Sequence, residues 1–493
     1  MKVGIIGAGI GGIAAAIRMA IRGHEVTVYE KNDYPGGKMT EIFRHGFRFD
    51  TGPSLFTLPN LLNELFDLCG EKMESSLPHH SLEINCRYFY PDKTIFNFYH
   101  DKEKWTEEVR VKTNEKPDRI LKRLRAAKEL YEISAPVFIF SSFHRLSNFN
   151  TPPYKKLAFR LHKLDFFRTI HQANKHLFDD KKIIQLFDRY ATYNGSNPYS
   201  TPATLNMIAH LENNIGAFFP AEGMAAIIKN LYRMASRLNV SFRFRTKVEH
   251  IEVENHRATG IVTSAGKENF DIVISAIDAR YTAERLLAHH PFRKRLARLE
   301  PSSSALIFYW GMNRTFPQLD LHNILFSKEY RKEFQTLFKK KRISEDPTIY
   351  IFISSKQVVK DAPQGCENWF VMVNAPSRCD GQNWEMIIHE TRENMIEKIN
   401  RTLETDIRPN IVCEDVSTPL TIEQNTGSVN GALYGPSSNS MLSAFLRHPN
   451  FLNQIKNLYF VGGSVHPGGG IPLCLASAKI VEQEIVRDGT HQK

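Results

Sequence analysis

The residues best suited to chemistry near the N-terminus are the glycines of residues 7–12, whose order Gly-Ala-Gly-Ile-Gly-Gly fits the pattern G-x-G-x-x-G. In that pattern the first glycine permits a tight turn, the second lets backbone N–H groups approach a pyrophosphate, and the third lets a helix pack on a strand. Glu30 follows at the end of the next apolar segment, where a carboxylate accepts hydrogen bonds from a ribose hydroxyl. The spacing predicts a dinucleotide site and disfavours a 2′-phosphate on that ribose.

Such a site needs a strand before the glycines and a helix after them. The apolar residues of 3–6 predict the strand, and those of 13–21 predict the helix. Gly23 ends this helix, and residues 25–30 predict a second strand that closes on Glu30. Together these segments predict a βαβ unit.

Two further glycine-rich segments extend the predicted site. Gly36 and Gly37 lie shortly after Glu30, where a bare backbone can run along the diphosphate and flavin side of a cofactor. Residues 462–472 (GGSVHPGGGIP) follow a predicted buried strand and open a predicted helix. Backbone N–H groups at a helix N-terminus suit the pyrimidine carbonyl of a flavin, which becomes more anionic on reduction. The three segments together favour FAD over NAD.

The rest of the chain predicts sheets around one helical segment. Residues 75–110 alternate as antiparallel strands do, and residues 239–277, 301–315 and 348–375 are strand-like. Residues 119–170 predict mostly helix, and they carry eleven Lys and Arg against three Asp and Glu. This segment therefore holds most of the positive charge of the protein.

Length and composition limit which folds and which binding partners are expected. The 493 residues predict about three structural units at about 150 residues each. Hydrophobic residues make up 42% and charged residues 24%, so we expect a large core and no disorder as the main state. The net charge of +11 favours an anionic partner such as membrane lipid or nucleic acid. Since no nucleic-acid recognition motif accompanies that charge, a nucleic-acid partner is not expected.

The cysteines and the apolar runs bear on the compartment. The six cysteines include no C-x-x-C pair, which argues against a disulfide framework or a metal site and favours a reducing cytosol. Residues 1–22 are apolar like a signal peptide, but the spaced glycines, Arg18 and Arg22 indicate that they belong to the fold. No run of about 18 apolar residues occurs, so any membrane attachment is expected to be peripheral.

These features resemble the flavin-dependent carotenoid desaturase family, of the bacterial phytoene-desaturase type, over nearly the whole chain. Besides the glycine-rich segments, the likeness includes residues 49–54 (FDTGPS), 220–224 (PAEGM) and 271–279 (DIVISAIDA). Residues 38–41 (KMTE) and 54–59 (SLFTLP) look most like the branch of 3,4-desaturases that act on 1-hydroxycarotenoids.

The resemblance implies a set of FAD-binding residues, which lie in these motifs or on the strand that would meet the adenine. They are Gly7, Gly9, Ile10, Gly11, Gly12, Glu30, Lys31, Gly36, Gly37, Lys38, Gly52, Pro53, Ser54, Leu55, Val248, Gly463, Gly470, Ile471 and Pro472. The glycines of residues 7–12 would contact the diphosphate, and Val248 would meet the adenine through its backbone. Lys38, Ala276 and Val465 depart from the family, where Arg, Asn and Thr are common at these positions.

The implied activity is the introduction of a carbon–carbon double bond into a carotenoid. A flavin accepts one hydrogen as hydride, and the other is lost as a proton. Because a cation beside a long polyene is delocalised, the proton loss needs no strong base, and we name no catalytic residue. His466 is the titratable residue nearest the flavin by motif, but a capping or packing role is favoured for it. Asp50 and Asp278 are expected to be turn or cap residues.

Other interpretations of the same motifs stay open. The scaffold also suits a phytoene desaturase, a carotenoid oxygenase, a retinol-saturase-like reductase or an amine oxidase. An amine oxidase should carry a flavin-facing lysine and an aromatic cage. A non-enzymatic prenyl-lipid escort protein would use the fold without flavin turnover, and the intact second glycine-rich segment argues against it. The final electron acceptor is either oxygen or a membrane quinone.

The predicted architecture is α/β plus α+β. It combines a discontinuous Rossmann-like FAD-binding domain, an inserted antiparallel-sheet substrate domain and a mostly helical basic lobe with a possible membrane association. Their respective bounds are residues 1–75, 215–295 and 450–493; residues 76–105 and 296–449; and residues 106–214.

The basic lobe is the predicted membrane contact. Aromatic residues such as Phe166 and Phe167 interleave there with Lys and Arg, which suits insertion among anionic headgroups. The alternative is a solvated helical face over an ordinary core. The expected location is the cytoplasm, with peripheral attachment to the inner face of the cell membrane.

Overall fold

The computed structural model describes residues 1–287, 296–440, 443 and 447–490. The strands, numbered in chain order, are β1 Lys2–Ile6, β2 Glu25–Tyr29, β3 Glu41–Arg44, β4 Phe47–Asp50, β5 His79–Ser81, β6 Ile84–Phe89, β7 Ile95–Tyr99, β8 Phe218–Pro220, β9 Ser241–Arg243, β10 Val248–Glu254, β11 Arg257–Thr263, β12 Gly266–Asn269, β13 Ile272–Ser275, β14 Ser304–Met312, β15 His322–Leu325, β16 Ile349–Phe352, β17 Glu367–Ala375, β18 Ile411–Ser417 and β19 Leu458–Phe460. The α-helices, numbered in the same way, are α1 Ile10–Ile21, α2 Pro59–Leu68, α3 Met73–Ser76, α4 Lys102–Lys112, α5 Pro117–Phe138, α6 Pro152–Phe159, α7 Ile170–Leu177, α8 Lys181–Asp188, α9 Ile208–His210, α10 Ala225–Arg237, α11 Ala279–Tyr281, α12 Tyr330–Phe338, α13 Trp384–Leu403, α14 Pro419–Thr426 and α15 Ile471–Thr490. The predicted domains also include residues 288–295, 441–442, 444–446 and 491–493, which lie outside the described residues.

A five-stranded parallel sheet takes its strands from three separate parts of the chain. Its order is β19-β13-β1-β2-β9, and every neighbouring pair is parallel. The βαβ unit predicted from the N-terminal sequence is present as β1, α1 and β2. Because parallel strands end at the same edge of a sheet, the turns that follow β1, β2, β13 and β19 all open at one edge.

Helix α1 is buried between this sheet and two other helices. Its residues Ala14, Ala15 and Ala16 are fully buried, and the helix packs against α10 and α15. Arg18 of α1 is also buried, and its guanidinium donates to Glu482 of α15 and to Glu64 of α2, both at 2.8 Å. These contacts fix the C-terminal helix against the N-terminal turn.

A seven-stranded sheet forms the second layer, in the order β18-β14-β17-β16-β15-β6-β7. Its pairs are antiparallel, as predicted, except that β15 pairs with β6 in parallel. The exception is possible because these two strands are far apart in the chain, and parallel pairing requires a long connection whereas antiparallel pairing does not. Strand β14 is buried at every position, so this sheet is covered on both faces at its centre.

Within the basic lobe, the segment 119–170 is regular only in its first part. Helix α5 runs as predicted, but residues 139–169 form short turns and the short helix α6 instead of a long helix. Polar side chains compete for the backbone there: Ser141 Oγ donates to the carbonyl of Pro136, and Asn148 Nδ2 donates to that of Ser142. Among all the described residues, none of the helices is both long and apolar enough to span a bilayer.

Candidate functional site

In the glycine turn after β1, Gly9 and Gly12 have different surroundings. A Cβ added at Gly12 would lie 2.1 Å from the carbonyl oxygen of Gly7, so only glycine lets α1 pack this closely on the turn. A Cβ added at Gly9 would meet no protein atom within 4 Å. Gly9 therefore faces open space at the N-terminus of α1, which is where a pyrophosphate would bind.

The Glu30 carboxylate holds this turn. Glu30 is buried, and its Oε2 accepts from the backbone N–H of Ala8 while its Oε1 accepts from that of Asn32, both at 2.9 Å. A carboxylate offers about four lone-pair positions, so two remain for the hydroxyls of a ribose. The acid placed by the sequence at the end of β2 thus fixes the turn and remains able to bind a sugar.

The segment after β2 lies against the same turn. The N–H of Gly36 donates to the carbonyl of Ala8 at 2.8 Å, and Gly37 has a φ of +61° that favours glycine. A Cβ at Gly52 would lie 1.9 Å from the carbonyl oxygen of Lys38. Glycine at position 52 therefore lets the predicted FDTGPS motif run alongside Lys38.

The two glycine-rich ends of the chain meet. A Cβ added at Gly11 would lie 3.3 Å from the Cα of Gly462, which lies just after β19. Helix α15 then begins at Ile471, directly after Gly470, whose φ is +109°. A Cβ at Gly470 would meet no protein atom within 4 Å, so this helix N-terminus also faces open space.

One cavity of about 830 Å³ joins all of these segments. It is lined by every predicted FAD-binding residue except Gly12, which packs against Gly7 instead. Of the three positions that depart from the family, Lys38 and Ala276 line the cavity, whereas Val465 is buried outside the lining. A cradle that glycines leave free, between two helix N-termini and beside a buried acid, fits a flavin dinucleotide.

The cavity continues from the glycine turns into an apolar space. The face of the seven-stranded sheet that contains Tyr309, Tyr350 and Phe370 forms one wall. The opposite wall comes from the basic lobe and includes Phe138 and Ile139 at the end of α5. Alternation along the strands places these sheet residues on one face. The sequence predicts such aromatic lining only in general terms, because the pairing of strands that are distant in the chain decides which aromatic side chains share a face.

The titratable residues singled out by the sequence have structural contacts. Asp50 accepts from the N–H groups of Met224 and Ala225, and Asp278 accepts from those of Arg280 and Tyr281. The predicted capping roles of both aspartates are therefore confirmed. His466 is buried outside the cavity lining, and its Nε2 lies 2.8 Å from the carbonyl oxygen of Ser141. Burial lowers the pKa of His466 to about 3, so the ring is neutral and serves packing, as favoured from the sequence.

Two cations on the cavity wall, the half-buried Lys38 and the buried Arg447, donate to carbonyls of neighbouring loops. The Lys38 ammonium donates to the carbonyl of Leu433 at 2.7 Å, and burial lowers its pKa although Asp278 lies nearby. Arg447 Nη1 donates to the carbonyls of Tyr434 and Gly463, at 2.9 and 3.2 Å. Arg447 was not predicted, because no local motif marks an arginine that organises segments brought together only by the fold.

Fold and cavity together define a flavin-dependent oxidoreductase. The chain belongs to the family described as flavin containing amine oxidoreductase, whose sequence model matches residues 10–486. This membership confirms the predicted enzyme class and the predicted cofactor, FAD.

Among sequence relatives, the chain is 46% identical to a 1-hydroxycarotenoid 3,4-desaturase from Flavobacterium sp. (strain P99-3) over 479 residues, which cover 97% of this chain and 98% of the relative. It is 31% identical to a 4,4'-diapolycopene oxygenase from Methylomonas sp over 497 residues, with 99% and 98% of the two chains covered. Among solved structures, putrescine oxidase bound to putrescine matches with a TM-score of 0.63 at 14% identity, over 99% of both chains. At that identity the structural match shows the fold alone.

Proposed function

We propose that this protein is an FAD-dependent carotenoid desaturase that introduces a 3,4 double bond into a 1-hydroxycarotenoid. The 46% identity to the Flavobacterium desaturase over nearly the full length of both chains supports this substrate class. The lower identity of 31% to the Methylomonas oxygenase favours desaturation over oxygenation.

The observation on which this proposal depends is the continuity of the cavity. A single space of about 830 Å³ runs from the glycine turns to the aromatic face of the seven-stranded sheet. A long apolar substrate could therefore lie with one end at the flavin and the remainder between the sheet and the lobe. Phe138 and Ile139 on the lobe side and Phe370 on the sheet side would exclude water from that path.

The chain's own residues would hold FAD at the two helix N-termini. Backbone N–H groups after Gly9 would bind the diphosphate, Glu30 would bind the adenosine ribose, and Val248 would lie at the adenine, as the sequence predicts. Gly463 and Gly470 would flank the isoalloxazine ring. When bound, FAD supplies the acceptor for a hydride removed from one of two adjacent carbons. The proton from the second carbon leaves without a strong base because the polyene delocalises the positive charge.

The basic lobe would dock on a membrane and give the substrate a path from lipid. Five large hydrophobic residues of its segment 146–167 are exposed: Leu146 86%, Phe149 47%, Phe159 85%, Leu161 50% and Phe167 94%. We call these five the lobe patch. Lys155, Lys156 and Arg160 are exposed among them, and no ion pair to these three is found within the described residues. Exposed aromatic and basic side chains in one segment suit an anionic membrane surface, here the inner face of the cell membrane.

The reduced cofactor must be reoxidised in every cycle. A docked lobe would place the enzyme at the bilayer, where a quinone is available, and dissolved oxygen is the alternative acceptor. Both acceptors balance the two electrons removed from the substrate.

The test is expression in cells that accumulate different carotenoids, with the absorption spectrum of the extracted pigments as the readout. We expect a shift to longer wavelength with a hydroxylated acyclic carotenoid, since desaturation lengthens the conjugated chain. The purified holoenzyme should also lose its yellow colour when it is mixed anaerobically with that carotenoid. A holoenzyme that keeps its colour with every polyene offered would overturn the proposal.

A further inference from the structure

A buried ion pair lies on the wall of the cavity. Arg189 Nη2 donates to Glu212 Oε2 at 3.0 Å and to Oε1 at 3.2 Å, and the hydroxyl of Tyr193 also donates to Glu212 Oε2. Glu212 is only 1% exposed and Arg189 8%, and all three residues line the cavity. Burial alone lowers the pKa of Arg189, but Glu212 and the surrounding tyrosines raise it well above its ordinary value. The guanidinium is therefore charged at any physiological pH.

The presence of a buried ion pair in an apolar tunnel requires an explanation, because the burial of both charges is costly. Replacing a buried ion pair by apolar residues of similar volume is often neutral or stabilising, because desolvation offsets the attraction between the charges. Besides a few polar side chains such as Asn85 and His322, the cavity lining around the sheet and the lobe contains many aromatic and aliphatic ones, and a pure hydrocarbon chain has no group that a carboxylate or a guanidinium could bind. The pair is therefore better explained by a polar group on the ligand than by stability.

The site has hydrogen-bonding capacity that the protein does not use. Arg189 Nε and Asn85 Oδ1 are buried without a hydrogen-bond partner among the described residues. Asn85 also lines the cavity, and its Nδ2 donates to the carbonyl of Glu212 at 3.1 Å. Asn85, Arg189, Tyr193 and Glu212 are called the Arg189 cluster below. A hydroxyl group offers one donor and two acceptor positions, which matches a site that has both an unused N–H and unused oxygen lone pairs.

The Arg189 cluster lies towards the flavin end of the cavity. The turn that follows Tyr193 packs on the loop before Arg447: the N–H of Ser438 donates to Ser196 Oγ at 2.9 Å. A Cβ added at Gly195 would lie 2.8 Å from the ring of Tyr434, and one added at Gly469 would lie 2.8 Å from the same ring. Tyr434 thus connects this turn to the glycine-rich segment at the flavin site.

An apolar tunnel does not by itself fix the position of a polyene along its length. Its repeating carbons look alike, so shape alone does not decide which bond stops at the flavin. In the name of the Flavobacterium relative the hydroxyl is on carbon 1 and the new double bond joins carbons 3 and 4. Only two carbon–carbon bonds separate the hydroxyl carbon from the reacting pair, so any group that binds the hydroxyl must lie at the flavin end.

We infer that the Arg189 cluster binds the terminal hydroxyl of the polyene and thereby sets which carbon–carbon bond is desaturated. This inference rests on the proposed function and names the specificity-determining residues of the same site. The carboxylate of Glu212 or the side-chain oxygen of Asn85 accepts a hydrogen bond from the hydroxyl, and Arg189 donates one to the hydroxyl oxygen. A polyene without the hydroxyl leaves these buried groups unpaired and is therefore discriminated against.

The first experiment compares two polyenes of equal length with the wild-type holoenzyme. One carries the hydroxyl on carbon 1, and the other carries a methoxy group that cannot donate. We expect the second-order rate of anaerobic flavin bleaching to be at least about 100-fold lower for the methyl ether. Binding of both polyenes to the FAD-free protein, followed by their visible absorption, should show the same preference.

The second experiment removes the pair in a form that is expected to fold. Arg189→Met combined with Glu212→Leu replaces the two ions by apolar side chains of similar volume. We expect this double variant to retain FAD, to treat the two polyenes within about threefold of each other, and to give products desaturated at more than one bond. The matched control is Arg123→Met, which also removes a buried guanidinium from the lobe. Arg123 does not line the cavity, so this control should keep the preference.

The outcomes separate this inference from the proposed function. If neither polyene bleaches the wild-type flavin, the proposed function fails. If both bleach it at equal rates, the function stands and the inference is overturned. If the double variant slows both polyenes by the same factor, the pair serves the chemistry and not the register, which also overturns the inference. Should the double variant not retain FAD, Tyr193→Phe replaces it, and a wild-type preference for the hydroxyl that persists unchanged in this variant would overturn the inference.

Discussion

Single residues at this site combine structural roles with free hydrogen-bonding positions that face the cavity. Glu30 fixes the glycine turn through the N–H groups of Ala8 and Asn32 and still presents unused lone pairs to the cavity that it lines. Asp278 caps α11 and lies close to the half-buried Lys38. Charged groups are expensive to bury unless they are paired or hydrogen-bonded, and each of these has such partners.

Glu30→Gln tests the role of the acid. The variant keeps the shape, but its amide nitrogen cannot accept, so one of the N–H groups of Ala8 and Asn32 loses its acceptor. A charge-assisted hydrogen bond to the ribose also becomes a neutral one. We expect FAD to bind about 10- to 100-fold more weakly, measured by titration of the FAD-free protein. The control is Glu25→Gln, at the exposed start of the same strand, which should bind FAD as the wild type does. Equal affinity in both variants would mean that Glu30 does not contact the cofactor.

At the scale of elements, the strand–turn–helix unit contains glycines with two different functions: one allows close packing, and the other leaves space for a ligand. Gly12 allows α1 to approach the turn, because any Cβ would lie 2.1 Å from the Gly7 carbonyl oxygen. Gly9 has a φ of −71°, which any residue adopts, and free space around it. Packing therefore requires glycine at position 12, whereas a ligand would require it at position 9.

Two substitutions distinguish these functions. Gly9→Ala should leave the urea unfolding midpoint of the FAD-free protein unchanged and should abolish FAD binding, because its methyl group enters the pyrophosphate space. Gly12→Ala should destabilise the FAD-free protein itself, by more than about 4 kcal/mol, since backbone must move. Gly489→Ala near the end of α15 meets no atom within 4 Å and should change neither quantity. An unstable Gly9→Ala protein would show that this glycine serves the fold.

The segment after α5 is the element on which the proposed membrane docking depends. Its lobe patch exposes Leu146, Phe159 and Phe167 almost completely. Phe166, singled out from the sequence, is half-buried instead. Which of these aromatic residues are exposed depends on how the turns of this segment pack on the rest of the lobe, and the local sequence does not encode that packing.

Vesicle flotation tests the docking. The wild type should float with vesicles that contain anionic lipid, and more weakly at high salt because the basic residues are screened. Replacement of Leu146, Phe159 and Phe167 by Ser should abolish flotation without changing the FAD content. The control replaces Val359, Met386 and Val412, which are 82%, 55% and 51% exposed and lie outside the lobe, and should float normally. Flotation of the lobe variant at the wild-type level would exclude this surface.

At the scale of the whole molecule, buried contacts fix the lobe to the cofactor side. His466 Nε2 contacts the carbonyl of Ser141 in the lobe, and Arg145 of the lobe pairs with Glu484 and Asp488 of α15. Burial lowers the pKa of His466 to about 3, and the nearby His144 and Arg447 contribute to that lowering. Burial, together with Arg189, also lowers the pKa of His322 to about 3. Both rings are neutral in the folded protein.

These two histidines make the protein sensitive to mild acid. Below pH 6.5 the unfolded chain protonates each ring while the folded protein does not, so stability rises with pH in this range and falls as the pH is lowered. Between pH 6.5 and 5 each histidine should remove about 2 kcal/mol of unfolding free energy. His466→Gln should reduce the acid-induced loss by about 2 kcal/mol in urea unfolding at the two pH values. His389→Gln, on the exposed side of α13, should leave the loss unchanged, and an equal loss in His466→Gln and wild type would contradict the assignment.

The sequence by itself determined the local units of the cofactor site. The G-x-G-x-x-G turn and the acid at the end of β2 lie close together in the chain, and the second glycine-rich segment lies directly before a helix start. Their geometry is set by local backbone rules: glycines permit the turn, and a strand and a helix follow from apolar periodicity. The residues predicted from these motifs line the cavity, apart from Gly12.

Tertiary structure alone decided what the motifs could not encode. The meeting of Gly11 with Gly462, the parallel pairing of β6 with β15, and the grouping of Asn85, Arg189 and Glu212 on one wall each join residues far apart in the chain. No periodicity links such residues, because their proximity depends on how whole elements pack and on burial free energy summed over the core. The sequence therefore determined the segments of the proposed flavin dinucleotide site, and the fold decided which other side chains face the cavity.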